Sequence, residues 1–329
     1  MYRKIMGFLE AWKENEHRKP LILQGARQVG KTYSILEFGR IHYENVAYFN
    51  FETNPKLNET FEEKISPDYL IPILSHIAGQ TIVKEKTLIV FDEVQLCERA
   101  LTSLKYFCED APDYHIIVAG SLLGVAVNRA KISFPVGKVD MKTLYPMDME
   151  EFMIAVGEDE LVEQIKKCFE TNRPMPSALH DAAMQLYRQY LVVGGMPECV
   201  MQFVQTGDYI LIRHTQDTIL TSYLNDMSKY NNLNEIKKTR LAYDNITVQL
   251  SKKNTRFQYK LIKKGGRASE FENAIEWLCL SGIVSQVYRV EQIKKPLENY
   301  RDIDAFKIYV SDLGLLCAKK DLAATDILY

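Results

Sequence analysis

No two of the six cysteines in this 329-residue sequence stand at C-x-x-C spacing; Cys97, Cys108, Cys168, Cys199, Cys279 and Cys317 are scattered along it. That argues against a zinc site or a disulfide framework and leaves the expectation of buried thiols in a reducing compartment. Neither sign of charge is in excess. Lys and Arg number 41 and Asp and Glu 43, a formal net charge of -2, so no global attraction to nucleic acid or an anionic membrane is expected and any such attraction must be local. Long hydrophobic runs are missing too. The longest, residues 116–127, is too short to cross a bilayer. The N-terminus, MYRKIMGFLEAWKENEHRKP, lacks the apolar core and small-residue cleavage site of a signal peptide. There are no internal repeats and no low-complexity tracts. At 47% hydrophobic and 26% charged the composition is globular, and the length suggests about two domains. The expectation is a soluble cytoplasmic protein without a membrane partner.

What is present is concentrated near the start. LILQGARQVGKTYSI, residues 21–35, is a short apolar strand, then Gly25-Ala26-Arg27-Gln28-Val29-Gly30-Lys31-Thr32, then a helical run. The spacing is G-x-x-x-x-G-K-[ST], the P-loop. Its backbone N–H groups cradle phosphates, its Lys reaches the β/γ-phosphates and its Thr holds Mg²⁺. Such a loop requires a carboxylate for the metal and, for hydrolysis, a base near the attacking water. LIVFDEVQ supplies both at the end of an apolar strand, the Walker B pattern. Asp92 is the expected metal carboxylate, Glu93 the expected base, and Gln95 stands close enough in sequence to help orient the water. HIIVAGSLLG follows as another apolar strand ending in Gly120 and Ser121. Ser121 either senses the γ-phosphate or caps a helix beginning at Leu122. A serine-hydrolase elbow is set aside, because A-G-S-L-L-G is not G-x-S-x-G.

Strands at 21–24, 45–52, 87–92, 115–120 and 139–144 alternate with helical patterns such as 33–40 and 101–109. That alternation is the mark of an α/β fold with a parallel sheet covered on both faces. From Pro146 to about Tyr230 the chain reads as helices only, starting with DMEEFMIAVGEDELVE, which carries seven carboxylates and no base. Beyond Asn234 it is basic, with mixed helix and strand.

The strings LILQGARQVGKT, LIVFDEVQ, SLKYFCEDAP, IIVAGSLLGVAV, SFPVGKVDMKTLYPMDMEEF, YLVVGGMPECV and YRDIDAFKIYVSDLGLL, in this order and over nearly the whole chain, resemble a bacterial and archaeal family of AAA-type P-loop ATPases. Its members pair that domain with a C-terminal domain of unknown function. The resemblance implies an AAA-like core with sheet order 5-1-4-3-2 and an ATP site at Lys31, Thr32, Asp92 and Glu93. It further implies a helical and winged-helix-like C-terminal half. Residues 1–150 are then the ATPase domain, 151–233 a helical lid or connector, and 234–329 a winged-helix-like domain. Family members commonly continue past the position of Leu315 into a nuclease-like segment, so this chain is expected to be truncated relative to them. No N-K-x-D guanine loop occurs, which favours ATP. Candidates for an arginine finger or its substitute are Arg129, Arg99 and Lys138.

KKNTRFQYKLIKKGGR, residues 252–267, has seven basic residues, no acid and two interleaved aromatics, Phe257 and Tyr259, a patch able to meet phosphates. Ser269 to Glu272 has the form of a capping box opening a helix that Gly282 ends. Strands at 284–290 and 305–310, joined by a loop with Lys294, Lys295 and Arg301, complete a helix-hairpin unit. A DNA-reading helix is basic or amide-rich near its start, whereas this one offers Glu270, Glu272, Asn273 and Glu276. Protein docking or self-association is therefore favoured over nucleic-acid contact. VVGGMPE, residues 192–198, turns the chain between helices.

Overall fold

The computed structural model describes residues 1–121, 135–229, 233–253 and 256–329. The chain divides into two compact units, Arg3–Leu144, and Tyr145–Tyr329 with Met1–Tyr2.

Five strands make the sheet of the first unit: β1 (Leu21–Gln24), β2 (Asn45–Asn50), β3 (Thr87–Asp92), β4 (His115–Gly120) and β5 (Asp140–Thr143). All pairs are parallel and the order is β2-β3-β4-β1-β5, as expected. Every residue of β3 and β4 is buried. Strands covered on both faces read as continuous apolar runs, which is why TLIVFD and HIIVAG do not alternate. Helices α1 (Ile5–Glu14), α2 (Lys31–His42), α3 (Leu57–Glu63), α4 (Pro67–Ala78) and α5 (Glu98–Asp110) belong to the same unit. Phe91 meets Phe49, Phe51 and Phe61 edge-on, at centroid separations of 5.9, 5.8 and 5.7 Å. Each such pair adds about 0.5–1.5 kcal/mol beyond its buried area. This cluster anchors β3, the strand that ends in Asp92. Strand β2 stops at Asn50, short of the expected residue 52. The Asn50 Oδ1 accepts the N–H groups of Glu52 and Thr53, both at 2.9 Å, a side-chain turn that takes the backbone out of the ladder.

The second unit opens with helices α6 (Met149–Ala155), α7 (Asp159–Glu170), α8 (Ser177–Val193), α9 (Pro197–Thr206) and α10 (Tyr209–Lys229). A capping box stands at Asp148–Glu151, whose Asp148 carboxylate accepts from the Glu151 N–H at 3.0 Å. Lys166 pairs with Glu150 at 2.9 Å and Glu163 at 3.1 Å. The acidic run is thus partly a helix start and partly a locally paired face.

Further on come α11 (Leu233–Leu250), α12 (Tyr259–Ile262), α13 (Ala268–Leu280), an antiparallel hairpin of β6 (Val284–Val290) and β7 (Arg301–Val310), α14 (Leu313–Lys319) and α15 (Thr325–Leu328). The capping box expected at Ser269–Glu272 does not form. Arg267 takes the extended position before α13 and no side chain caps it, so Ser269 lies inside the helix and Glu272, which would complete the box, is exposed. Arg301 lies in β7 and not in the preceding loop, paired with Val290, its guanidinium 4.2 Å from the Tyr288 ring centroid. Phe257 and Tyr259 are packing groups. Phe257 is buried and stacks on Phe306 at 5.3 Å, and Tyr259 meets both rings edge-on. Glu272, Asn273 and Glu276 face solvent on α13.

The two glycines of VVGGMP have a structural reason. A Cβ on Gly194 would stand 2.3 Å from Asp312 Oδ1, and one on Gly195 1.9 Å from the Met147 carbonyl oxygen. The Gly195 N–H donates to Asp312 Oδ2 at 2.6 Å, the Met147 N–H donates to the Gly195 carbonyl at 2.7 Å, and Leu315 N–H donates to Asp312 Oδ1 at 2.8 Å. Asp312 therefore caps α14 and ties it to the α8–α9 turn. Burial pushes its carboxyl up to about 6, against the backbone N–H groups of Leu315, Gly195 and Gly314, which pull the other way.

Candidate functional site

The P-loop lies between β1 and α2, where the chain must turn tightly and leave its amides exposed. Gly25 sits at φ +150°, and a Cβ there would meet the Leu144 carbonyl oxygen at 2.2 Å. Gly30, left-handed at φ 88°, precedes α2. Glycine adopts such angles without steric cost. Helix α2 begins at Lys31, two residues ahead of its expected start. Its first-turn amides have no partner within the helix, and together with the helix dipole they make a place for an anion. Lys31 is buried, and its ammonium donates to the carbonyls of Gly25 at 3.0 Å and Ala26 at 2.8 Å. The cation is held within its own loop.

Two groups distant in sequence meet across the sheet. The Thr32 hydroxyl donates to Asp92 Oδ2 at 2.9 Å. The Asp92 Oδ1 accepts the N–H of Glu93 at 3.0 Å. Glu93 sits at φ 51°, left-handed without being glycine, as does Gln28 at φ 66° within the P-loop. Non-glycine residues in this region cost about 1–3 kcal/mol and gather at functional sites. The Glu93 carboxylate accepts a hydrogen bond from the Gln95 amide, so Gln95 engages the carboxylate directly. Ser121 is buried just past the end of β4. Gly120 before it is level with Gln24, which precedes Gly25, so Ser121 stands at the P-loop end of the sheet. The helix it was expected to cap lies outside the described residues.

Other expectations fall elsewhere. Arg129 lies outside the described residues. Arg99 donates from Nε to the Phe61 carbonyl, a bond from α5 to α3. Lys138 pairs with Glu109 at 2.9 Å and precedes β5, at the sheet end opposite the P-loop.

Two residues were not anticipated. Arg3 is buried and donates to the Val29 carbonyl at 3.1 Å, bracing the P-loop from the N-terminus. Tyr48 on β2 donates to Asp92 Oδ2 at 2.7 Å and accepts from Asn50 Nδ2 at 3.1 Å. Burial pushes the Tyr48 hydroxyl up to about 12, Asn50 pulls it down, and Asp92 adds to the rise. Nothing in a lone β2 pattern marks Tyr48. The signal lies in pairing: Asn50 is level with Asp92 in the β2–β3 ladder, and Tyr48 shares the Asn50 face because strand side chains alternate.

Residues 17–153 match the AAA domain family. The match takes in most of the N-terminal unit. Residues 184–326 match a domain of unknown function, DUF8612, so the AAA domain and this C-terminal module follow one another as the resemblance implied. Among solved structures, the Walker-type ATPase PABY2304 of Pyrococcus abyssi shares 14% identity and a TM-score of 0.58, over 97% of this chain and 95% of that one; at this identity the likeness is one of fold. The ORC2 protein of Aeropyrum pernix (11% identity, TM-score 0.44, over 99% and 92%) and the RuvB branch migration motor of Thermotoga maritima (14% identity, TM-score 0.37, over 86% and 87%) are also similar. With scores under 0.5, those two bear no weight. No curated protein gives a significant match. The AAA domain and its P-loop fold support nucleotide binding.

The donor set fits a magnesium ion carried by a nucleotide. Thr32 and Asp92 offer hard oxygen donors side by side, and among the described residues no group of three or more His, Cys, Asp or Glu is placed to hold a metal unaided. Mg²⁺ is commonly held by one or two carboxylates together with substrate phosphates.

Proposed function

We propose that the AAA domain binds Mg·ATP and hydrolyses it slowly, and that nucleotide state governs how the C-terminal half docks on a protein partner or a second copy. The observation that carries the reading is the 2.9 Å hydrogen bond between Thr32 and Asp92, which puts the expected P-loop hydroxyl and Walker B carboxylate together. Lys31 exchanges its two loop carbonyls for the β/γ-phosphates, alongside the amides of Gly25, Ala26, Arg27, Gln28, Val29, Gly30, Lys31 and Thr32. Thr32 and Asp92 hold the Mg²⁺. When bound, the metal neutralises charge on the phosphate oxygens. Glu93 orients and polarises the attacking water once released from Gln95, and Ser121 senses the γ-phosphate.

For docking, a groove of about 570 Å³ lies on the β6–β7 hairpin. Arg256 and Lys307 line it beside Tyr288, Phe306 and Tyr309, together with Arg289, which pairs with Asp302 of the same hairpin. Such a lining suits an acidic protein segment with exposed apolar groups. Nucleic acid is the less favoured occupant, because α13 turns carboxylates outward and Phe257 and Tyr259 are used in packing. Cys97 and Cys199 are buried and the other four cysteines half-buried, and among the described residues no helix is long and apolar enough to cross a membrane; the proposed setting is cytoplasmic.

The test is Glu93→Gln, assayed for ATP binding and for phosphate release. Binding is expected to persist while release falls by at least about 100-fold, in line with the loss of a general base. Unchanged release would remove Glu93 from the mechanism.

A further inference from the structure

The geometry points to Tyr48 as a positioning residue for the metal carboxylate: through its hydroxyl, Tyr48 fixes the Asp92 rotamer that Mg²⁺ requires. This rests on the Mg·ATP reading of the site and deepens it.

Asp92 accepts three hydrogen bonds. Oδ1 takes the Glu93 N–H at 3.0 Å, and Oδ2 takes two hydroxyls, Thr32 at 2.9 Å and Tyr48 at 2.7 Å. With the Thr32 proton directed at Asp92, the lone pairs of that hydroxyl are left for a metal. The Thr32–Asp92 bond can orient them only if Asp92 itself is immobile. Tyr48 supplies the shortest of the three contacts, and it is fixed in turn. Asn50 Nδ2 donates to the Tyr48 oxygen at 3.1 Å, while Asn50 Oδ1 is held by the N–H groups of Glu52 and Thr53 at 2.9 Å each. The turn after β2 therefore sets Asn50, Asn50 sets Tyr48, Tyr48 sets Asp92, and Asp92 sets Thr32. The ladder register, with Asn50 level with Asp92, makes the chain of contacts short enough to close. Groups that orient a metal's direct ligands typically matter 10–100-fold in metal affinity.

The experiment is Tyr48→Phe in the full chain, read by equilibrium binding of a fluorescent ATP analogue, first in EDTA and then across a Mg²⁺ titration. Phenylalanine keeps the ring and removes only the hydroxyl. The EDTA affinity is expected to stay within about twofold of wild type, while the Mg²⁺ concentration at half-maximal tightening rises about tenfold. Asn50→Asp, which keeps the turn acceptor and loses the donor to Tyr48, is expected to shift the same midpoint in the same direction by less. A merely structural role would lower both affinities together and leave the midpoint in place. An unmoved midpoint in Tyr48→Phe, with wild type tightening normally in Mg²⁺, overturns this inference alone. Failure of wild type to bind the analogue in either condition overturns it together with the nucleotide reading.

Discussion

Replacing Asp312 with Asn swaps one carboxylate oxygen for an NH₂ at a site with donors on both sides. Oδ2 accepts the Gly195 N–H at 2.6 Å and Oδ1 the Leu315 N–H at 2.8 Å. An amide has one oxygen and one donor nitrogen, so one backbone N–H must face another donor. A buried, unsatisfied donor costs about 1–3 kcal/mol. Against this stands the cost of keeping a buried carboxylate ionised. The Asp312 carboxyl sits at about 6 in the fold, above its ordinary 3.8. A folded-state value above the unfolded one means that the native state binds the proton more tightly. Its contribution to stability is then full below pH 3.8 and is lost as the pH rises through 6, by about 3 kcal/mol in all. The Asn variant has no such titration. At pH 4 the wild-type carboxyl is itself protonated, but its hydroxyl oxygen still accepts an N–H where the Asn nitrogen cannot, so the variant should be less stable by about 1 kcal/mol, and by pH 8 the difference should move by about 2 kcal/mol in the variant's favour. Urea unfolding of both proteins at pH 4, 5, 6, 7 and 8 measures the difference directly, and other titrating groups cancel in the comparison. A deficit that stays constant across the range would refute the raised carboxyl. No deficit at pH 4 would refute the donor conflict.

Gly195→Ala places a Cβ 1.9 Å from the Met147 carbonyl oxygen, a backbone clash expected to cost about 3 kcal/mol or more; thermal unfolding within 1 °C of wild type would show that the turn can move aside. His115 shares a 2.7 Å contact with the Tyr43 hydroxyl, and burial, then Arg18 and Lys13, drag its imidazole down to about 4. A depressed imidazole contributes stability above its unfolded value of 6.5, stability that is lost as the pH falls toward 4. His115→Gln should flatten that part of the acid limb, and an imidazole NMR midpoint near 6.5 would contradict the assignment.

The sheet of the N-terminal unit was legible because its central strands must be apolar on both faces, whereas its strand order came from the family resemblance that the whole series of strings carries. Lys31, Thr32, Asp92 and Glu93 could be named from spacing alone. Tyr48 could not, since its role depends on a ladder partner rather than on local pattern. Arg3 was hidden for a similar reason: its partner, the Val29 carbonyl, is a backbone atom with no sequence mark. Ser269 to Glu272 matched a capping pattern that another extended residue, Arg267, pre-empted, while the real box at Asp148 read as part of an acidic run. In the basic stretch, charge drew attention to phosphates, whereas Phe257 and Tyr259 serve the hairpin core. The glycines of VVGGMP became intelligible only once Asp312, more than a hundred residues away, was found against them.

The central claim is that the loop from Gly25 to Thr32 holds a triphosphate whose metal is shared with Asp92. Equilibrium binding of ATP in Mg²⁺ to wild type, Glu93→Gln and Lys31→Ala tests it most directly. Wild type and Glu93→Gln should bind alike, and Lys31→Ala should bind at least about 10–100-fold more weakly, the loss of charge-assisted hydrogen bonds to phosphate. Equal affinity in all three would contradict the account.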